Sequence, residues 1–136
     1  MSIGNEDIDS DHRYLILLIN TVELVLRHPE KPEHVLQAFD ELDYYARRHF
    51  DREERIQIAW GYIHYDEHKV EHQRLLDALA ALRMRVETAV SAPGGRTDEL
   101  AAQSGEISTF LRHWLIDHVM KTDMKLAELF RKRDPF

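Results

Sequence analysis

The sequence predicts an all-α protein, an up-down-up-down four-helix bundle, from three features of its 136 residues. Glycine and proline divide the chain into four segments. The apolar residues of each segment recur at alternating spacings of three and four, and charged residues fill the flanking positions. Four such helices joined by short loops pack with their apolar faces around a common axis. We expect residues 1–136 to form one domain, since this length suits a single core.

The breaks between the segments are marked by Pro29 and Pro32, then Gly61, then Pro93-Gly94-Gly95. The spacing also predicts a buried seam for each helix. The first two seams comprise Ile8, His12, Leu15, Ile19, Val22 and Leu26, then Val35, Phe39, Leu42, Ala46, His49, Glu53, Ile56 and Trp60. The last two comprise Tyr65, His68, His72, Leu75, Leu79, Leu82 and Val86, then Leu100, Ser104, Ile107, Leu111, Trp114 and His118.

Composition argues against several classes of protein. A net charge of -7 argues against nucleic-acid binding, which needs clustered cations. The absence of cysteine excludes disulfides, thiolate zinc sites and iron–sulfur clusters, and it fits a reducing compartment. The longest apolar stretch, residues 14–26, is too short and too polar to span a membrane. We therefore expect a cytoplasmic protein with no nucleic-acid partner and no membrane insertion.

Each predicted seam contains histidine where a bundle normally has an apolar residue. The polar seam residues are His12, His49, Glu53, His68, His72 and His118. Burying the ionised carboxylate of Glu53 without compensation would cost several kcal/mol, roughly. A bound metal ion is the simplest compensation for such a residue.

The spacing of these residues supports a metal site. His49 and Glu53 are four residues apart, as are His68 and His72, so each pair shares a helix face with Cβ atoms roughly 5–6 Å apart. A single buried histidine is more often a hydrogen-bonded core residue, and either pair alone could lie at the surface. The combination of in-phase ligands on four helices favours metal binding. We expect the other histidines, His28, His34, His64 and His113, to lie outside the site.

The fourth helix contains an irregular spacing. Asp123 follows His118 by five residues, about 140° around an ideal helix. Leu126 and Phe130 continue the spacing of three and four when it is counted from Asp123. One extra residue would bring both acid and histidine into phase, so we predict a π-bulge or a local kink between them.

The segments around these positions resemble the hemerythrin family, in particular its bacterial single-domain members. They are IDSDH at residues 8–12, HFDREE at 49–54, HKVEH at 68–72, WLIDH at 114–118, and Thr122-Asp123. The resemblance covers nearly the whole chain and implies a di-iron centre in the core of the bundle. It implies that His68, His72 and His118 bind one iron, that His12 and His49 bind the other, and that Glu53 and Asp123 bridge both.

The same resemblance implies a cofactor of two non-haem iron ions, bridged by an oxo or hydroxo group, with dioxygen as the ligand. Dioxygen would bind at the iron that has two histidines, under an apolar pocket of Phe50, Trp114, Leu115 and Val119. The ligand types would also accept manganese, cobalt or zinc. The family often has methionine four residues after the bridging glutamate, where this chain has Gln57, and Tyr-Pro where it has Tyr62-Ile63.

The predicted function is reversible dioxygen binding, as a carrier, a store or a local supplier, with no catalytic residues. Two alternatives remain open at this point. One is a sensor of oxygen, redox state or iron that acts through a partner. The other is a di-iron enzyme that oxidises ferrous iron or reduces peroxide or nitric oxide.

Overall fold

A computed structural model describes residues 6–28, 31–92, 97–119 and 125–128 of the chain. It contains the helices α1 (Glu6–Arg27), α2 (Pro32–Trp60), α3 (Tyr65–Ser91) and α4 (Thr97–His118). Helix α1 packs mainly against α2 and α4, and α3 packs against the same two helices. The short connections make consecutive helices antiparallel, which confirms the predicted up-down-up-down bundle.

The described helix ends follow from the proline and glycine positions. Helix α2 begins at Pro32, whose fixed φ suits a first helical position that needs no backbone N–H. It ends before Gly61, which has a φ of 65°. The N–H of Gly61 donates to the carbonyl of Ile58 at 3.2 Å, and that of Tyr62 donates to the carbonyl of Gln57 at 2.9 Å. This left-handed cap is favourable for glycine because it has no Cβ. Pro29 and residues 93–96 lie outside the described part.

The predicted seams are buried with three exceptions. Every predicted seam residue of α1 and α4 is buried. Three predicted seam residues of α2 and α3 are only half-buried: Ile56, Trp60 and Tyr65. Gln57, which was not predicted to lie in the seam, is fully buried. The prediction that Ile56, Trp60 and Tyr65 are buried seam residues was therefore wrong, since each is only half-buried. A step of four, not three, leads inward from Glu53, and Ile56 packs against a second apolar cluster below the bundle core.

Two apolar clusters lie on either side of the polar seam residues. The larger cluster contains Leu15 on α1 and Leu115 on α4, and the smaller contains Ile8, Leu126 and Ala127. Full burial of one leucine or isoleucine stabilises a fold by about 1.5–3 kcal/mol relative to exposure, so these clusters hold the helix faces in register. Within the described ranges, no helix is both long and apolar enough to cross a membrane.

Helix α4 departs from regular α-helical geometry directly after His118. Val119 is π-helical, and residues 125–128 are helical again with Leu126 fully buried. The π-helical Val119 lies where the predicted π-bulge would begin, and residues 120–124, which would contain the rest of it, lie outside the described residues. Asp123 and Phe130 lie outside the described residues, so their inward orientation stays a prediction.

Candidate metal centre

The carboxylate of Glu53 lies fully buried at the centre of the polar seam residues. Its Oε1 atom lies 2.8 Å from Nε2 of His49 and 3.6 Å from Nε2 of His12. Helix α2 places His49 one turn before Glu53, and α1 brings His12 against them. These three residues form one compact group of potential ligands.

The other oxygen of the same carboxylate faces three more imidazoles. Oε2 of Glu53 lies 3.0 Å from Nε2 of His72, 3.4 Å from Nε2 of His68 and 3.6 Å from Nε2 of His118. Helix α3 supplies His68 and His72 from successive turns, and α4 supplies His118. All five histidines and Glu53 are buried. Each histidine directs its Nε2 atom at the carboxylate of Glu53.

The distances suit coordination of two metal ions. Two ligand atoms that each lie about 2.1 Å from one ion, at a right angle, are about 3.0 Å apart. The potential ligand atoms of each group lie within 4.8 Å of one another. One ion would meet Oε1 with two imidazoles, and a second would meet Oε2 with three. Imidazole and carboxylate are suitable ligands for divalent iron.

Three further polar side chains contact the outer nitrogens of the imidazoles. Oδ2 of Asp11 lies 3.2 Å from Nδ1 of His49, and Oε2 of Glu54 lies 2.9 Å from Nδ1 of His72. The amide of Gln57 contacts Nδ1 of His68. The two carboxylates can accept a hydrogen bond from Nδ1–H, and such partners hold metal-binding histidines in the tautomer that leaves Nε2 free to bind.

Sequence reasoning missed these three partners. Asp11 and Glu54 each directly adjoin a seam residue, and that position is equally typical of a surface acid. Gln57 had a usable signal, since it lies four residues after Glu53 and in phase with it. Its role as a contact of His68 depends on the packing of α2 against α3.

The surroundings of Glu53 favour its ionised form. Burial alone would raise the pKa of this carboxyl, but the charge of His49 and the close approach of the His118, His12 and His49 imidazoles lower the pKa well below its usual value. A carboxylate that stays ionised in a buried site is a suitable ligand for a cation.

Of the predicted pocket residues, Phe50 lies directly beside the imidazoles. The ring of Phe50 stacks on that of His72, with centroids 4.1 Å apart, and lies 5.6 Å from His49. Trp114 lies 6.2 Å from Phe50, and its indole N–H donates to the carbonyl of Leu75 at 2.9 Å. All four predicted pocket residues are buried and belong to the larger apolar cluster. They are Phe50, Trp114, Leu115 and Val119.

Of the seven predicted metal ligands, the structure brings together all except Asp123, which lies outside the described residues. The histidines that we expected outside the site are exposed. They are His28, His34, His64 and His113.

Comparison with known proteins agrees with this geometry. A family model described as "Hemerythrin HHE cation binding domain" matches residues 3–130. The chain belongs to the hemerythrin family. It is therefore a hemerythrin-family non-haem iron-binding domain, and the resemblance inferred from its motifs is confirmed.

Two curated relatives of this hemerythrin-family chain are named Bacteriohemerythrin. The protein of Stenotrophomonas maltophilia (strain R551-3) is 26% identical over 128 residues, which cover 94% of this chain and 76% of the relative. The protein of Methylococcus capsulatus (strain ATCC 33009 / NCIMB 11132 / Bath) is 24% identical over 115 residues, covering 85% of this chain and 79% of the relative.

Proposed function

We propose that this hemerythrin-family protein binds dioxygen reversibly at two non-haem iron ions and serves as a carrier, a store or a local supplier of oxygen. One observation carries the proposal. Five buried imidazoles direct Nε2 at the two oxygens of one carboxylate, two at Oε1 and three at Oε2. The name of both relatives, Bacteriohemerythrin, supports the same function.

The unequal division of histidines supports an open coordination position. In this proposal His68, His72 and His118 hold one iron, and His12 and His49 hold the other. Glu53 would bridge both, together with Asp123 and an oxo or hydroxo group. The iron with two histidines would have fewer protein ligands, so dioxygen would bind at that iron.

When bound, the iron pair supplies the electrons that dioxygen binding requires and accepts them again on release. The chain contributes a dry environment for this exchange, because water would displace the bound oxygen. Phe50 covers the imidazoles of His49 and His72 with an apolar ring. The polar N–H of Trp114 donates to the carbonyl of Leu75.

A cytoplasmic location is part of the same proposal, since a sequence without cysteine is suited to a reducing compartment. Fractionation of the producing cells tests it. Recovery with the membrane or outside the cell would contradict it.

Repeated oxygenation tests the function directly. The iron-loaded protein is reduced without air, exposed to oxygen and then deoxygenated, while its visible spectrum is recorded. We expect a charge-transfer band that appears and disappears over several cycles. Irreversible conversion on the first exposure to air would instead favour a di-iron enzyme, and protein without iron would exclude the proposal.

A matched pair of variants tests the dry pocket. Phe50→Leu should shorten the lifetime of the oxygenated form by about tenfold, because water gains access to the site. Phe39→Leu changes another fully buried phenylalanine of α2, within the larger apolar cluster. It should leave the lifetime unchanged. Equal lifetimes for both variants would contradict a role for Phe50 in excluding water.

A further inference from the structure

Gln57 is a fully buried polar residue next to the candidate metal centre. It lies one helical turn after Glu53 and its side-chain amide contacts Nδ1 of His68 on the neighbouring helix α3. Its backbone is fixed by the end of α2, since its carbonyl accepts the N–H of Tyr62 at 2.9 Å. The amide therefore extends to His68 from a backbone that the helix cap holds in place.

The tautomer of His68 decides whether this residue can bind a metal. A neutral imidazole carries one proton on either Nδ1 or Nε2. Nε2 of His68 is the atom that faces Glu53, at 3.4 Å. It can bind a metal only when the proton is on Nδ1, and a proton there needs an acceptor.

An amide can serve either tautomer of His68. In the structure the amide nitrogen of Gln57 faces Nδ1, and its Oε1 atom accepts no hydrogen bond from the residues that the structure describes. A half-turn about the terminal side-chain bond exchanges nitrogen and oxygen without moving any other atom. The oxygen then accepts a hydrogen bond from Nδ1–H, and Nε2 becomes available to a metal.

The corresponding partners of the other imidazoles differ in charge. Asp11 and Glu54 present carboxylates to His49 and His72, and an ionised carboxylate can only accept a hydrogen bond. The amide of Gln57 is neutral and can both donate and accept. A methionine at this position would offer only a weak sulfur acceptor.

We propose that Gln57 is a positioning residue, whose amide oxygen accepts the Nδ1–H of His68 and so holds Nε2 as a metal ligand of the three-histidine group. This inference rests on the proposed binding of metal at these residues. It assigns to Gln57 the retention of one particular ion, the one shared by His68, His72 and His118.

Iron release to a chelator tests the inference in three variants. Gln57→Met should release one of the two irons about 10–100-fold faster than the parent protein, because the partner of a ligating histidine is lost. Gln57→Glu keeps an acceptor of the same shape and should release iron no faster than the parent. Gln73→Met makes the same change at an exposed residue of α3 and should have no effect. Circular dichroism checks that each variant is helical.

A spectroscopic readout distinguishes positioning from general destabilisation. In the zinc-loaded protein with nitrogen-labelled histidine, the Nδ1–H of His68 should be protected from solvent exchange in the parent and in Gln57→Glu. The protection should be lost in Gln57→Met. If Gln57→Met does not fold, faster release from Gln57→Glu than from the parent overturns the inference.

The outcomes separate this inference from the proposed function. A parent protein that binds neither iron nor zinc would overturn both. The role of Gln57 alone would be overturned by a different result. In that case the parent protein binds two irons, while Gln57→Met releases iron at the same rate as the parent and keeps its Nδ1–H protected.

Discussion

Two adjacent glutamates on α2 have different surroundings at the residue scale. Glu53 is fully buried and faces five imidazole nitrogens, whereas the Glu54 side chain is 19% exposed and contacts the outer nitrogen of His72. Successive helical residues point about 100° apart, so one acid enters the core and the next lies at its edge. The same side chain can thus bind metal in one position and orient a ligand in the next.

Conversion of each glutamate to glutamine should separate these roles. Glu53→Gln should lose iron from both histidine groups, because a neutral amide has one oxygen in place of the two that face the groups. Glu54→Gln should retain iron but release it about tenfold faster, through weaker orientation of His72. Elemental analysis and chelator kinetics measure both effects. Parental iron content in Glu53→Gln would contradict the bridging role.

At the scale of elements, α2 carries much of the site in steps of four residues. His49, Glu53 and Gln57 occupy successive turns of its inner face, and the helix ends at Trp60, directly before the cap residue Gly61. The cap at Gly61 fixes the last turn, including the carbonyl of Gln57. The position of the glycine therefore affects the helix end that supports the site.

Two glycine-to-alanine substitutions should shift stability in opposite directions. Gly61→Ala should lower the free energy of unfolding by about 1 kcal/mol, since its φ is left-handed. No atom lies within 4 Å of the new Cβ, so the cost is conformational and not steric. Gly105→Ala, at an exposed position in α4 with equal space, should raise it by about 0.5–1 kcal/mol. Urea unfolding measures both, and shifts of the same sign would contradict this account.

Contacts between α1 and α4 converge on Glu23. Arg112 and Ser108 both donate to Oε2 of Glu23 at 2.8 Å, and Arg112 also donates to Oδ1 of Asn20 at 2.8 Å. The hydrogen bond from Arg112, followed by that from Ser108, lowers the pKa of Glu23 below its ordinary value of 4.5. The ionised carboxylate therefore stabilises the folded chain.

This lowered pKa makes the stabilisation depend on pH. The contribution is complete above the unfolded-state pKa and is lost as pH falls through the lower folded-state pKa. Glu23→Gln should lower the free energy of unfolding by about 0.5–1 kcal/mol near neutral pH. The difference from the parent should shrink below about pH 4. Glu106 is exposed on the same helix as Arg112. The variant Glu106→Gln therefore serves as a control for the loss of one negative charge. A pH-independent difference would contradict the contribution of ionised Glu23.

At the scale of the whole molecule, the bundle combines a large apolar core with a polar layer towards one end. Among the residues that the structure describes, this layer contains six buried potential ligands, and in the proposed function a bound metal compensates for their burial. A ligand that binds only the folded chain adds to its stability by mass action. Metal binding as proposed here would therefore be coupled to the folding of the chain.

Iron removal should lower the thermal unfolding midpoint by on the order of 10 °C, which corresponds to about 3–4 kcal/mol for a chain of this size. Calorimetry with and without a chelator of ferrous iron measures the shift. The same chelator should change Glu53→Gln little, because that variant is expected to lose both irons already. An unchanged midpoint in the parent would contradict the coupling.

The helices and most of the candidate site could be predicted from the sequence. Spacing of three and four identifies inward residues because the helical period is a local property of the backbone. It located six clustered residues, and the motifs around them indicated the hemerythrin family. The inward position of Asp123, the single domain over residues 1–136 and the binding of dioxygen stay predictions.

Only the tertiary structure decided how the polar groups meet. The division of five imidazoles between the two oxygens of Glu53 depends on the relative rotation of four helices. So do the contact of Gln57 with His68 and the half-burial of Ile56. Local periodicity specifies which face of a helix is buried but not which atom of another helix it meets, since those contacts join residues far apart in the chain.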